Sequence, residues 1–246
     1  DSLSSNPGNA ADGWKCHGYQ YNYYSWEGCR AWNYSDDGFD PSGEAYKIFS
    51  NCWAMSTDKY EAFDIEGNGF KVSCLDNEFY HPELLVDKVM ARYTNCIAAF
   101  CYGSGFLNNI LADGITGMNN NGRLVNNTAY RNHINFHDQG VYGAGSYTSP
   151  TYINNLAVYG DPLGSGGYEA AIYTPSIYNA STNTWVPTFN NDWPGYTINQ
   201  AFTANDADFV SVEASQLTSM RKTDGSLPDI TFLKLVSGSD LIDAGT

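Results

Sequence analysis

The chain has 246 residues, of which only 16% are charged, and its formal net charge is −15. Twelve lysines and arginines supply no basic patch for a phosphate backbone, which excludes nucleic acid as a partner. No apolar run is long enough to span a bilayer, and 24 Gly and 19 Tyr with many Asn and Ser point to short strands and frequent turns instead of helices.

In chain order, the first recognisable elements share one plan, a polar or glycine turn followed by a brief alternating strand. They are AADGWKC (10–16), SDDGFDP (35–41), GNGFKVS (67–73) and GSGFLNN (103–109), with a looser fifth member in the Asn-rich run near 119–127. Gly13, Gly38, Gly69 and Gly105 lie 25, 31 and 36 residues apart, the spacing of successive solenoid coils that carry insertions of varying size. A second set lies between them: GCRAW (28–32), NCWAM (51–55), NCIAA (95–99), NNTAY (126–130) and NNLAV (154–158). The alternation of the two sets predicts an all-β parallel β-helix, each coil giving one strand to each of several parallel sheets. Asn residues ahead of the second set are expected to stack as ladders at the turns.

Three of the six cysteines (Cys29, Cys52 and Cys96) head second-set strands. Setting Thr128 and Leu156 at the same point makes cysteine a small buried filler, so a column of reduced thiols is expected in preference to disulfides. No CxxC pair occurs to suggest a zinc site. After about residue 160 the repeats fade. The expectation is one domain over 1–246, with regular coils over 1–160, an irregular insertion over 161–205 and a terminal segment over 206–246 that covers the last coil. The chain starts about a dozen residues before its first coil with no capping element, so further coils are expected upstream or from another fragment.

Coil stacking gives the sequence its chemistry. The second residue after each glycine is Lys15, Asp40, Lys71 and Leu107, so these fall in one row across the coils. Asp36, Asp37 and Asp40 lie within SDDGFD, and Asp12 occupies the matching turn one coil earlier. Four carboxylates at one spot are costly unless a cation binds, and an oxygen-only set of high charge favours Ca²⁺ over zinc or copper. Next to a divalent cation, Lys71 is expected to lose its proton more readily and so to serve as a general base. Metal and base together suit proton removal from the carbon beside a carboxylate, as in β-elimination of a 4-linked uronate.

The stretches ADGWKC, GCRAWNYSDDGFD, NCWAM, GNGFKV, NCIAAF, VNNTAYRN, NNLAVYGD, DADFVS, DGSLPDITFLKL and GSDLIDAG resemble polysaccharide lyase family 9, the pectate lyase and rhamnogalacturonan lyase group. The resemblance covers residues 8–160 and 206–246. It implies a right-handed parallel β-helix and a calcium-dependent lyase acting on an acidic polysaccharide. By motif it places calcium on Asp12, Asp36, Asp37 and Asp40 and the base on Lys71, the same residues as the register. Four departures line the expected groove: GFKVSC where the family has GFKLGG, His17 where a lysine is common, GFLNNI where it has GFDQNN, and the insertion that follows Lys71.

Further candidates complete the set. Lys15, Tyr19 and Arg131 are candidate substrate contacts, Tyr19 within an aromatic run (Tyr19, Tyr21, Tyr23, Tyr24, Trp26) that could stack on sugars or pack turns. His133 and His137 are four apart but lie among strands, which disfavours a metal role. Sequons at Asn33, Asn126 and Asn179 are incidental for an enzyme of bacterial character, which is expected to be secreted or held at the cell surface. A non-catalytic glycan-binding solenoid that keeps the calcium site, and a hydrolase using an aspartate pair, are the rival readings.

Overall fold

The computed structural model describes residues 12–18, 23–43, 46–56, 67–73, 91–109, 122–138, 151–159, 168–172, 179–181, 185–187, 198–200 and 204–242. Each coil carries three strands. The first coil holds β1 (Trp14–Gly18), β2 (Tyr23–Glu27) and β3 (Arg30–Trp32), and the second β4 (Phe39–Gly43), β5 (Tyr46–Ser50) and β6 (Trp53–Met55). The third holds β7 (Phe70–Ser73), β8 (Ala91–Thr94) and β9 (Ile97–Ala99), and the fourth β10 (Ser104–Asn109), β11 (Gly122–Val125) and β12 (Thr128–Tyr130). The fifth holds β13 (Ile134–Asp138), β14 (Thr151–Ile153) and β15 (Leu156–Val158), and a sixth begins with β16 (Tyr168–Ile172) and β17 (Asn179–Ser181). Every third strand pairs in parallel with its counterpart in the next coil. This makes sheet A (β1-β4-β7-β10-β13-β16), sheet B (β2-β5-β8-β11-β14-β17) and sheet C (β3-β6-β9-β12-β15) of a right-handed β-helix. β18 (Trp185–Pro187) and β19 (Ile198–Gln200) form a separate antiparallel pair.

The glycine-led set is sheet A and the second set is sheet C, as the sequence predicts. Sheet B is a third family between them. One expected member moves: Gly122–Val125 in the Asn-rich run is β11 of sheet B, and the fifth strand of sheet A is Ile134–Asp138. Asn135 stands there in the glycine column, opposite Gly105, so the glycine signal was missing.

The core is filled by columns that run along the helix axis. Phe39, Phe70, Phe106 and Phe136 of sheet A stack at 4.8, 4.9 and 5.0 Å, close to the strand spacing itself. Trp26, Phe49 and Tyr93 of sheet B stack at 4.7 and 4.9 Å and meet the first column edge to face. Sheet C answers with the smallest side chain, Ala31, Ala54, Ala98, Ala129 and Ala157, all buried. Two large columns thus pack against one small column in a single buried core.

The corner from sheet B to sheet C needs one left-handed residue per coil. It is Gly28, Asn51, Asn95, Asn126 and Asn154, with φ between 53° and 58°, and Asn tolerates this region better than other side chains. The next position is Cys29, Cys52 and Cys96, then Asn127 and Asn155. Register sets Thr128 beside Ile97 and Leu156, so the column aligned with the cysteines is one residue earlier than expected. Cysteine therefore gives way to asparagine here. Asn127 and Asn155 do form the expected ladder, accepting from the N–H of Cys96 and of Asn127 at 3.0 Å each. The five described cysteines are free, and Cys74 lies outside the described residues.

The terminal segment expected to cover the last coil over 206–246 is described over residues 204–242, and these lie along the outer face of sheet C. Phe209, Leu217, Phe232, Leu233 and Leu241 pack on the outward side chains Trp53, Met55, Ala99, Tyr130 and Val158. Polar contacts tie this segment from Tyr159 in the fifth coil, whose hydroxyl accepts from Asp206 N–H, back to Arg30 and Gly28 in the first. The outer face of sheet C is thereby covered over most of its length, Trp32 at its first strand remaining exposed. Among the described residues, no helix is long and apolar enough to cross a membrane.

Candidate active site

The site forms at the corner where the chain turns from sheet C into sheet A. The residue before each glycine of sheet A is Asp12, Asp37, Asn68 and Ser104, and the side chains of the first three build a ladder that ends on the Ser104 N–H. Asp37 N–H donates to Asp12 Oδ1 at 3.2 Å. Asp37 Oδ1 accepts from Asn68 N–H (3.2 Å) and Nδ2 (2.8 Å), and Asn68 Oδ1 accepts from Ser104 N–H at 2.7 Å. The coils are close here because the next column is glycine. A Cβ on Gly38 would lie 2.6 Å from Gly69 O, and one on Gly69 2.7 Å from Gly105 O. Each rung needs only one side-chain oxygen, and Asn68 supplies it without charge. The negative charges of Asp12 and Asp37 exceed what the scaffold requires.

Two residues after the glycines runs the outward row of sheet A. Lys15 pairs with Asp40, Lys71 with Leu107, and Leu107 with His137; Phe39 opposite Phe70 sets Asp40 beside Lys71. Ladder and row converge. Carboxylate oxygens of Asp12, Asp37 and Asp40 lie within 4.8 Å of one another. Asp36 is buried beside them but adds no oxygen to that trio. Lys71 Nζ is 3.1 Å from Asp37 Oδ2, the lysine side chain 16% exposed and the aspartate 0%. Lys15 Nζ bridges Asp12 Oδ2 (3.0 Å) and Asp40 Oδ2 (2.8 Å).

The electrostatics show a site short of positive charge. Burial pushes Asp37 up to about 7, with Asp36 adding to the rise, although Lys71 and the Asn68 hydrogen bond pull the other way. Burial alone would lower the Lys15 ammonium; hydrogen bonds and attraction from Asp40 and Asp12 outweigh it and raise its pKa. Three hard carboxylates, one of them wholly buried and driven toward protonation, fit a divalent oxygen-seeking cation such as Ca²⁺.

The remaining candidates are placed elsewhere or differently. Arg131 follows β12, its guanidinium 5.3 Å from the rings of Tyr130 and Tyr159 and 3.5 Å from Asp206, so it engages the C-terminal segment. Tyr19 lies outside the described residues. Of its aromatic run, Trp26 faces the core, whereas Tyr23 is exposed and stacks on Tyr46 at 4.7 Å. His137 Nδ1 is 2.9 Å from Ser104 Oγ, and burial, with His133 adding, depresses its pKa to about 4. Sequence reasoning missed this Ser104–His137 pair and the role of Asn68. The signal was available in the residue before each glycine, once Asn135 is admitted to the glycine column.

With this geometry in place, comparison with known proteins identifies the family. Residues 1–155 match the model described as the Pel9A-like, right-handed β-helix region. The chain belongs to that family. It is similar to pectate lyase L of Dickeya dadantii (strain 3937), with 31% identity over 228 residues, 89% of this chain and 43% of the relative. Pectate lyase L of Dickeya chrysanthemi is 29% identical over 248 residues, 97% of this chain and 47% of that protein. The chain thus spans about half the length of these curated relatives. Among solved structures, pectate lyase Pel9A superposes with a TM-score of 0.65 at 27% identity, covering 97% of this chain and 50% of that one. A rhamnogalacturonan lyase shares the fold at a TM-score of 0.65 and 23% identity.

Proposed function

We propose that this protein is a calcium-dependent polysaccharide lyase that cleaves an acidic, uronate-containing glycan by β-elimination. The observation that carries the reading is Lys71 Nζ at 3.1 Å from a buried carboxylate oxygen of the acidic trio. Asp12, Asp37 and Asp40 would hold the cation, with Asp36 behind them. When bound, a divalent cation would neutralise the substrate carboxylate and weaken the hold of Asp37 on the Lys71 ammonium. Lys71, largely shielded and on the outward row of sheet A, takes the proton from C5 of the uronate. The C–H electron pair becomes the C4=C5 double bond, the C4–O bond breaks with its electron pair on the leaving oxygen, and that oxygen takes a proton from solvent water as a new chain end. Family membership and the likeness to pectate lyases support this chemistry. A polymer of this kind is met outside the cell, so the protein is placed as secreted or surface-held, with an acidic polysaccharide as its partner.

The test is Lys71→Ala. The variant should lose the ultraviolet-absorbing unsaturated product by at least a hundredfold, the low end of a general base's contribution, while calorimetry still records calcium uptake. A variant with full activity refutes Lys71 as base, and products without the double bond select hydrolysis instead.

A further inference from the structure

Lys15 stands where nothing in the proposed chemistry yet uses it. Its ammonium sits between Asp12 and Asp40, at 3.0 and 2.8 Å, and these are two of the three residues whose oxygens converge. Their carboxylates are 1% and 8% exposed, while the Lys15 side chain is 53% exposed. The carboxylates are therefore buried, and the lysine is a long, half-exposed arm that reaches in from the rim. Asp12 is also fixed from behind by Asp37 N–H. A dication entering the trio and a lysine ammonium compete for the same oxygens, and the double charge wins at such distances.

The row gives the displaced arm a destination. Lys15 and Lys71 are separated by Asp40 alone in the outward row of sheet A, about 10 Å at two strand spacings. That is the scale of two linked sugars lying across the strands. We propose that Lys15 is an exchangeable counter-ion of the acidic trio, displaced by the divalent cation and then turned toward a carboxylate of the bound glycan. This rests on the lyase reading and extends it: in the metal-free protein Lys15 holds the site together, and in the loaded protein it pairs with the substrate.

Calcium chloride titration by calorimetry on the wild type, Lys15→Met and Lys15→Arg tests the first half. Removing one positive charge some 5 Å from a dication in a high-dielectric setting corresponds to roughly a tenfold change in affinity. Lys15→Met should therefore bind calcium about tenfold more tightly and melt earlier than the wild type in chelator, while Lys15→Arg behaves like the wild type in both. On polygalacturonate, Lys15→Met should raise KM several-fold more than it lowers kcat. Unchanged or weaker calcium affinity in Lys15→Met, with the wild type binding normally, overturns the counter-ion role and leaves the lyase reading standing. An unchanged KM overturns the substrate role. A wild type that takes up no calcium removes both the inference and the reading beneath it.

Discussion

Asp37→Asn separates scaffold from chemistry at a single residue. The amide keeps the oxygen that accepts from Asn68 N–H and Nδ2, so the rung between the second and third coils survives. Only the charge is lost. In the metal-free protein that charge is a burden: Asp37 is raised from 3.8 to about 7, roughly three units, or on the order of 4 kcal/mol at 1.36 kcal/mol per unit. The new NH₂ would face the Lys71 ammonium in place of Oδ2, and that clash of donors offsets part of the gain. A net stabilisation of about 1–3 kcal/mol remains, several degrees in melting temperature for a chain of this size. The pH dependence has a definite sign. Below pH 3.8 the aspartate is protonated in both states and costs nothing. Between 3.8 and about 7 the unfolded chain gives up its proton first, so wild-type stability falls as pH rises, and above 7 the penalty is constant. Melting curves in chelator from pH 4 to 9 should show this decline in the wild type and lack it in Asp37→Asn. With calcium present the order reverses, because only the wild type gains from the ion. A variant that is less stable than the wild type in chelator at pH 8, or one that keeps wild-type calcium affinity, refutes the claim that this carboxylate is a ligand and not a strut.

Other perturbations read the scaffold. Gly38→Ala places a Cβ 2.6 Å from Gly69 O and 2.8 Å from the Tyr34 ring, so its melting temperature should drop by the equivalent of several kcal/mol. Gly238→Ala, with nothing within 4 Å, should stay within about 0.5 kcal/mol of the wild type. Phe232→Ala removes a buried ring that meets Tyr130 edge to face at 5.7 Å. It should cost about 3–5 kcal/mol and expose residues 204–242 to limited proteolysis before the coils are cut.

The sequence makes sheet A readable because its inter-coil contacts demand glycine, and a demanded residue leaves a countable spacing. That column alone puts Asp12 against Asp37 and Asp40 against Lys71. Sheet B leaves no such trace. YYSWE, YKIFS, ARYT, GRLV and TYI share an inward alternation but no residue, since outward positions there carry no common constraint. The cysteine column was set one residue late because apolar likeness suggested Thr128 and Leu156, whereas the true constraint is a side chain that meets backbone N–H groups, which Asn127 meets. Lys47 shows the same limit from another side. Lysines are expected in solvent, yet this one points inward from β5, fully buried, and donates to Gly43 O. The position of Lys15 between two carboxylates is likewise a matter of side-chain reach, and register fixes only where its Cα stands.

The column Asp12, Asp37, Asn68, Ser104 explains how a repetitive fold acquires chemistry at one place along its length. The first three coils each supply an acceptor there for the next coil's N–H, and Asp and Asn both provide one; Ser104 ends the series, its Oγ facing His137. Exchanging Asn for Asp leaves the hydrogen bond intact and adds a buried negative charge, which destabilises the bare protein. Two such exchanges in neighbouring coils, with Asp40 reaching in from the adjacent row, concentrate that cost within 4.8 Å. Asp12 and Asp37 are held by backbone N–H donors and Asp40 by its place in the paired strand β4, all without any ion, so the cation's entry relieves repulsion without having to order a loop. Lys71 arrives at Asp37 through the same stacking, one coil on. The backbones that carry charge and base are then one strand spacing apart, kept so by the Phe column underneath, where Phe39 and Phe70 stack at 4.8 Å, and side-chain reach closes the rest to 3.1 Å.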